Sequence, residues 1–322
     1  MLPSVSVVIA TYNAGPFLER SLRSLQISTV PPLEVIVVDD CSTDESLAGV
    51  VELGARVLRT PVNGGPARAR NLGAQSAKGS ILFFIDSDVC VHPDSVSLVR
   101  NALEDTSLDA VIGAYDDTPD SREFLSQYRN LMHCFVHRTG SREAFTFWGG
   151  CGAIRREVFL ASGGFDERYA RPSIEDIEFG SRLAAAGHRT LLRPDIQVKH
   201  LKRWTFWHMI RTDVFDRGIP WAELILRNRS MPNDLNLRFH QRASVILVYA
   251  MIAALVTGHF LLGSVLLFST IALNFGFYRF LFDRRGFLFA AGALPLHLLY
   301  HFYNGFSFGV ALLRWGASRG RS

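Results

Sequence analysis

Three short runs, Val5-Ser6-Val7-Val8-Ile9, Val35-Ile36-Val37-Val38 and Ile81-Leu82-Phe83-Phe84-Ile85, are almost continuously apolar and rich in β-branched residues. Continuous rather than alternating hydrophobicity belongs to parallel strands buried on both faces, and parallel strands need crossovers between them. Phe17 to Leu25 and Ala67 to Ala77 have the composition of those helices. The pattern predicts an α/β fold with a doubly wound sheet whose first half is Rossmann-like. Each run stops abruptly at polar residues: Thr11-Tyr12-Asn13, Asp39-Asp40-Cys41-Ser42 and Asp86-Ser87-Asp88. Ligands of open α/β sheets bind outside the carboxyl ends of the strands, so the three clusters are expected to line one crevice.

The residues of that crevice restrict its ligand. A dinucleotide fingerprint is missing, because Thr11-Tyr12-Asn13-Ala14-Gly15-Pro16 stands where the glycines of a GxGxxG turn belong. Four aspartates instead call for cations, and Asp86-x-Asp88 directly after a buried strand suits a divalent metal that also binds a diphosphate. Asn63 to Asn71 reads as a loop opening a helix, with Pro66 in its first turn. Backbone N–H groups there, with Arg68 alongside, suit phosphate oxygens, although solvent-facing arginines at a helix start have the same spacing. Trp148-Gly149-Gly150-Cys151-Gly152 suits either close approach of backbone to a ligand or a tight turn before a helical run, Arg155 to Ala161. Glu175-Asp176 opens a helix ending near Gly187; the two adjacent carboxylates point in different directions, so one can serve a site while the other caps. His200 closes an apolar-polar run, Ile196 to Lys199, expected to be the last strand, with Arg203 and Trp204 just beyond.

Charge divides the chain of 322 residues. Lys+Arg against Asp+Glu is 19 to 25 for residues 1–198, 9 to 4 for 199–242 and 6 to 1 for 243–322. Positive charge gathered beside an apolar tail points to a membrane surface rather than nucleic acid. Ala243 to Tyr278 gives 36 residues without a formal charge and Gly286 to Leu313 another 28. A span needs about 20 apolar residues. The first run thus fits two short helices turning near Gly258-His259, and the second either one span or a re-entrant hairpin. Arginines 227, 229, 238 and 242 precede the runs, 279, 284 and 285 separate them, and 314, 319 and 321 follow. Keeping all three groups on the cytoplasmic side requires two hairpins, whereas three plain spans leave the last group outside. Pro295, His297, His301 and Asn304 in the second run must face protein, water or ligand. Met1-Leu2-Pro3-Ser4 has no basic leader character, and the four scattered cysteines have no CxxC spacing, so the first domain is expected in a reducing cytosol. The expected division is 1–205 catalytic domain, 206–242 basic amphipathic juxtamembrane segment, 243–314 membrane helices or hairpins and 315–322 basic tail.

Taken in order, Val5 to Asn13, Val37 to Asp44, Gly65 to Asn71, Asp86-Ser87-Asp88, Gly163-Gly164-Phe165-Asp166 and Glu175-Asp176 resemble the family 2 glycosyltransferases with a GT-A fold over about residues 4–205. The resemblance implies a mixed doubly wound sheet and inverting transfer from a nucleoside diphosphate sugar, UDP- or GDP-linked, with Mg²⁺ or Mn²⁺. It implies that Thr11, Tyr12, Asn13, Asp39, Asp40, Arg68 and Asp86 bind the nucleotide sugar, and that Asp86, Asp88 and His200 hold the metal. Asp176 matches the general base, and Trp148, Gly149, Gly150, Glu175, Arg203 and Trp204 would border the sugar or acceptor. A metal offsets charge on a leaving diphosphate while a carboxylate takes the proton of an attacking hydroxyl. With an already anionic lipid phosphate as acceptor, Asp176 would position it instead. Processive synthases carry Gln-x-x-Arg-Trp where this chain has His200-Leu201-Lys202-Arg203-Trp204. That favours transfer of one sugar, or a few, to a polyprenyl phosphate lipid or a cell-envelope glycan by a multi-pass membrane protein. The alternatives are a metal-dependent nucleotidyltransferase, which lacks its triphosphate loop here, and a non-catalytic membrane scaffold.

Overall fold

The computed structural model describes residues 2–319, without the side chains of 318 and 319; Arg321 and the end of the expected basic tail lie outside the described residues. The chain divides after Arg203 into two units, two residues before the expected boundary.

In the first unit eight strands form one sheet: β1 (Val5–Thr11), β2 (Glu34–Asp39), β3 (Arg56–Arg59), β4 (Ile81–Asp86), β5 (Val89–Val91), β6 (Ala110–Tyr115), β7 (Cys151–Arg155) and β8 (Thr190–His200), in the order β3-β2-β1-β4-β7-β6-β8-β5. The three apolar runs become β1, β2 and β4, and they pair in parallel. Strand β7 departs from that pattern, running antiparallel between β4 and β6, and β5 runs antiparallel to β8. The helices are α1 (Pro16–Gln26), α2 (Pro66–Ser76), α3 (Ser95–Ala102), α4 (Phe124–Thr139), α5 (Arg156–Ala161) and α6 (Glu175–Ala185).

Successive strand residues face opposite sides. Val7, Ile9, Phe83 and Ile85 enter one core layer with Leu18, Leu22 and Val96. Phe84 points the other way, into Phe159 and Phe165, with ring centroids 5.1 and 5.3 Å apart. Burial on both sides is what the continuous hydrophobicity required.

The second unit is helical: α7 (Phe206–Arg211), a π-helical turn Thr212–Gly218, α8 (Ile219–Asn228), α9 (Phe239–Val256), α10 (Phe260–Leu273), α11 (Phe275–Arg285) and α12 (Phe287–Arg319). The turn near Gly258-His259 is present, with Gly258 at φ 80°. Among the described residues one helix, α9, is long and apolar enough to cross a membrane, and only 22% of it is buried in the structure. Helices α10 and α11 meet that test together, bent by 66°. The second uncharged run is no hairpin: α12 continues through Pro295 without a break, so the two-hairpin arrangement is not formed. Its polar residues turn inward, with His297 and His301 buried and His297 Nδ1 3.0 Å from the Tyr278 hydroxyl.

Candidate active site

Strands β1, β2 and β4 end in register, Thr11 opposite Asp39 and Ala10 opposite Asp86, so each polar cluster reaches the same level of the sheet. Thr11 and Asp39 are buried, and Thr11 Oγ1 has no hydrogen-bond partner among the described residues. Asp39 Oδ1 accepts from the Ser42 N–H at 2.8 Å, and its Oδ2 lies 3.1 Å from Arg59 Nε. Asn13 adopts φ 50°, a conformation asparagine tolerates, and its side-chain oxygen accepts from the Thr43 N–H at 2.8 Å. The Asn13 N–H in turn donates to Ser42 Oγ at 3.0 Å, so the loops after β1 and β2 form one rim with Tyr12 exposed upon it.

Asp40 is turned away from Asp39, as adjacent residues leaving a strand must be. Its carboxylate accepts from the Thr60 hydroxyl at 2.7 Å and from the N–H groups of Gly64 and Gly65 at 3.0 and 2.7 Å. In this structure Asp40, expected beside Asp39 at the nucleoside, organises the loop that starts α2. Gly65 stands there at φ 86°, and a Cβ would lie 2.6 Å from the Ala170 carbonyl carbon, so only glycine fits. Arg68 pairs at the surface in this structure, its Nε 3.1 Å from Glu167.

The centre of the site is Arg70. Its side chain is 7% exposed and bridges two carboxylates, Nη2 to Asp86 Oδ1 at 2.7 Å and Nη1 to Glu175 Oε1 at 2.8 Å. Burial acts to lower the guanidinium pKa, but Asp86, Glu175 and Asp176 outweigh it and raise it. Glu175 is buried, and its other oxygen accepts from the Ser173 N–H at 2.9 Å. Expected to border the sugar or acceptor, Glu175 stands in this structure as a buried partner of Arg70. Asp176 diverges from it, as the first turn of α6 dictates: Oδ2 accepts from the Gly149 N–H at 3.0 Å. The glycine loop lies directly over these groups. A Cβ on Gly149 would sit 2.9 Å from Arg70 Cζ, and one on Gly150 2.9 Å from Asp86 Oδ2.

Strand β8 supplies the remaining wall. Pairing sets Val89 opposite His200, and the Leu201 N–H donates to the Asp88 carbonyl at 2.8 Å. His200 Nε2 consequently lies 3.7 Å from Asp88 Oδ2, an ion-pair distance when the imidazole is protonated. Burial acts to raise the Asp88 pKa, but His200 and the Lys202 ammonium outweigh it and hold it below the usual carboxylate value. His200 stacks on Tyr115, centroids 4.4 Å apart and 20° from parallel, and Tyr115 meets Trp148 edge-on at 4.9 Å. The expected trio of metal ligands is not assembled: Asp86 is held by Arg70, and among the described residues no three His, Cys, Asp or Glu side chains converge. What remains is a carboxylate oxygen and an imidazole nitrogen, a pair that fits Mn²⁺ or Mg²⁺ when ligand oxygens complete the coordination. Arg203 stands 70% exposed, paired with Glu123 at the surface, and Trp204 already belongs to the second unit, its ring 5.3 Å from that of His208.

The profile of "Glycosyl transferase family 2" matches residues 6–162. The succinoglycan biosynthesis protein ExoO of Rhizobium meliloti is 35% identical over 256 residues, 75% of this chain and 73% of that protein. The chain belongs to glycosyltransferase family 2. Similar to it as well is the N-acetylglucosaminyl-diphospho-decaprenol L-rhamnosyltransferase of Mycobacterium tuberculosis, 29% identical over 63% of this chain and 77% of that protein. Among solved structures, the mannosyltransferase of Pyrobaculum calidifontis in complex with GDP-Man and Mn²⁺ superposes with a TM-score of 0.63 at 21% identity, covering 92% of this chain and 88% of that one. The sheet of this glycosyltransferase is thus the GT-A sheet.

Arg70 is the site residue of this glycosyltransferase that pattern reading passes over. In sequence it is a second arginine on a helix start, and its partner Glu175 is 105 residues away. The one available signal was spacing: Arg68 and Arg70, two apart on a helix, leave on different sides, so both cannot face solvent equally.

Proposed function

We propose that this glycosyltransferase moves a single sugar, or a few, from a UDP- or GDP-sugar to a membrane-associated acceptor with inversion of configuration. Thr11 and Asp39 at the buried rim would hold the nucleoside, Thr11 offering its unpartnered hydroxyl. Asp88 and His200 would hold Mg²⁺ or Mn²⁺, which when bound offsets the charge growing on the leaving diphosphate. Asp176 would accept the proton of the attacking acceptor hydroxyl at Oδ2, exchanging its bond to the Gly149 N–H for one to the substrate. Attack from the side opposite the leaving group in one displacement inverts the anomeric carbon. Arg70 offsets one of the two charges of Asp86 and Glu175 and fixes both carboxylates in place beside Asp176.

The observation that carries this reading is the convergence of Asp86, Arg70, Gly149 and Asp176 at the carboxyl end of β4. The acceptor class is supported by the Mycobacterium relative, whose name states a diphospho-decaprenol acceptor, and the metal and donor by the GDP-Man and Mn²⁺ of the Pyrobaculum structure. Membrane attachment through α9 and its neighbours is supported by exposed Leu261, Phe268, Phe287 and Leu288, and the arginines that flank the apolar runs favour the cytoplasmic side for the first unit.

The test is nucleoside diphosphate release from a panel of nucleotide sugars by detergent-solubilised protein with membrane extract, in Mn²⁺ or EDTA. Metal-dependent release from one donor is expected, reduced roughly 10²–10⁴-fold in Asp176→Asn with donor binding kept. Turnover by Asp176→Asn equal to wild type would remove the general-base role and leave Asp176 to position an acceptor that is already anionic.

A further inference from the structure

Helix α8 ends at Arg229, which adopts φ 49°, the left-handed region that a branched or long side chain rarely occupies. That turn swings residues 229–231 back against α12 and closes one side of a groove of about 370 Å³. Ile225, Leu226, Met231, Phe308 and Trp315 line it, and Arg229 is its single charge. The volume lies within the range of pockets that hold small ligands. Among the described residues Arg229 has no hydrogen-bond or ion-pair partner, whereas Arg242 nearby is bonded to Asn233 and Arg314 to Glu223.

An apolar trough with one unpartnered guanidinium at its mouth matches one kind of molecule at both ends, an amphiphile with an anionic head. A free phosphate would satisfy the arginine and leave five apolar side chains uncovered; a neutral hydrocarbon would do the reverse. The surroundings narrow the choice further. From residue 199 onward the chain carries 15 Lys and Arg against 5 Asp and Glu, which disfavours a headgroup bearing its own cation. An indole at the rim of such a groove belongs where an apolar body meets a wet edge.

We infer that the groove between α8 and α12 binds one anionic phospholipid of the bilayer, its phosphate on Arg229 and the start of an acyl chain along Leu226, Met231 and Phe308. This rests on the membrane reading above and adds to it a defined lipid site separate from the transfer chemistry.

The experiment is native mass spectrometry of the full chain in detergent with equal dioleoyl-phosphatidylglycerol and dioleoyl-phosphatidylcholine, beside flotation of the same protein with vesicles of phosphatidylglycerol. One retained phosphatidylglycerol is expected in preference to phosphatidylcholine, with retention roughly fivefold lower in Arg229→Gln and unchanged in Arg238→Gln, a basic residue outside the lining. Leu226→Asp, blocking the apolar end, is expected to lower it as well. Equal retention of both lipids, or retention unaffected by Arg229→Gln, overturns the inference. Wild type that floats with vesicles yet keeps no phosphatidylglycerol overturns the lipid site alone; wild type that does not float overturns the membrane reading on which it rests.

Discussion

Replacing Arg70 by methionine keeps much of the side-chain volume and removes the charge. Glu175 is then left buried, its side chain 5% exposed, with the Ser173 N–H in place of a cation, while Asp86, at 36%, can rehydrate. Breaking a buried ion pair from one side costs about 3–5 kcal/mol, because the orphaned charge keeps its desolvation penalty. For a unit of this size each kcal/mol moves the melting midpoint by roughly 2–4 °C, so Arg70→Met should lower it by roughly 6–20 °C. Thermal melting of the full chain in detergent, read on the first unit's transition, measures this. Adding Glu175→Gln to Arg70→Met should recover at least half of the loss, since the uncompensated charge is gone. Arg70→Lys should recover little, because an ammonium lacks the fork that spans both carboxylates. A loss under about 1 kcal/mol in Arg70→Met, or a double variant worse than the single, would refute the argument that a buried charge pair organises the site.

Three further outcomes follow from the geometry. Asp88→Ala should weaken Mn²⁺ binding at least roughly tenfold by electron paramagnetic resonance titration, since one of the two proposed protein donors is lost; unchanged affinity would place the ion elsewhere. Gly65→Ala should destabilise the first unit by roughly 1–3 kcal/mol or more, seen as a lower urea midpoint, because alanine is strained at φ 86° and its Cβ meets Ala170. Burial lowers the His137 pKa from 6.5 to about 4, the bond from Nδ1 to the Gly113 carbonyl opposing it only in part. The folded value lies below the unfolded one, so its contribution is fully present above pH 6.5 and is lost as pH falls towards 4, on the order of 3 kcal/mol in all. In His137→Phe the slope of stability against pH across that window should flatten, and an unaltered slope would mean that other groups cause it.

Much of the first half-sheet was legible because its information is local. Strands β1, β2 and β4 begin and end within a residue or two of the apolar runs, since burial on both faces leaves no room for polar residues inside them. Pro66 after Gly65 marked the start of α2 for the same reason. What escaped was decided by distant partners. Asp39 and Asp40 look alike as neighbours, and only the position of Gly64 and Gly65 separates a rim carboxylate from a loop organiser. Glu175 reads as an acid at a helix start until Arg70 arrives beneath it. Strand β7 leaves no sign of its direction in Cys151-Gly152-Ala153-Ile154-Arg155. The last uncharged run fitted either one span or a re-entrant hairpin, and the helix passes through Pro295 unbroken.

The pairing of β8 has a consequence for synthesis. Residues of β1, β2 and β4 reach the sheet early in translation, but the partner of Asp88 sits at the far end of the last strand, which joins both β5 and β6. Until Thr190–His200 leaves the ribosome, the edge of β6 stays open and Asp88 faces water alone. A nascent chain can therefore complete the ends of β1, β2 and β4 while Asp88 still lacks His200, and the closing strand is followed by the helical unit that begins at Trp204. A chain released before β8 therefore carries neither the Asp88–His200 pair nor the helical unit.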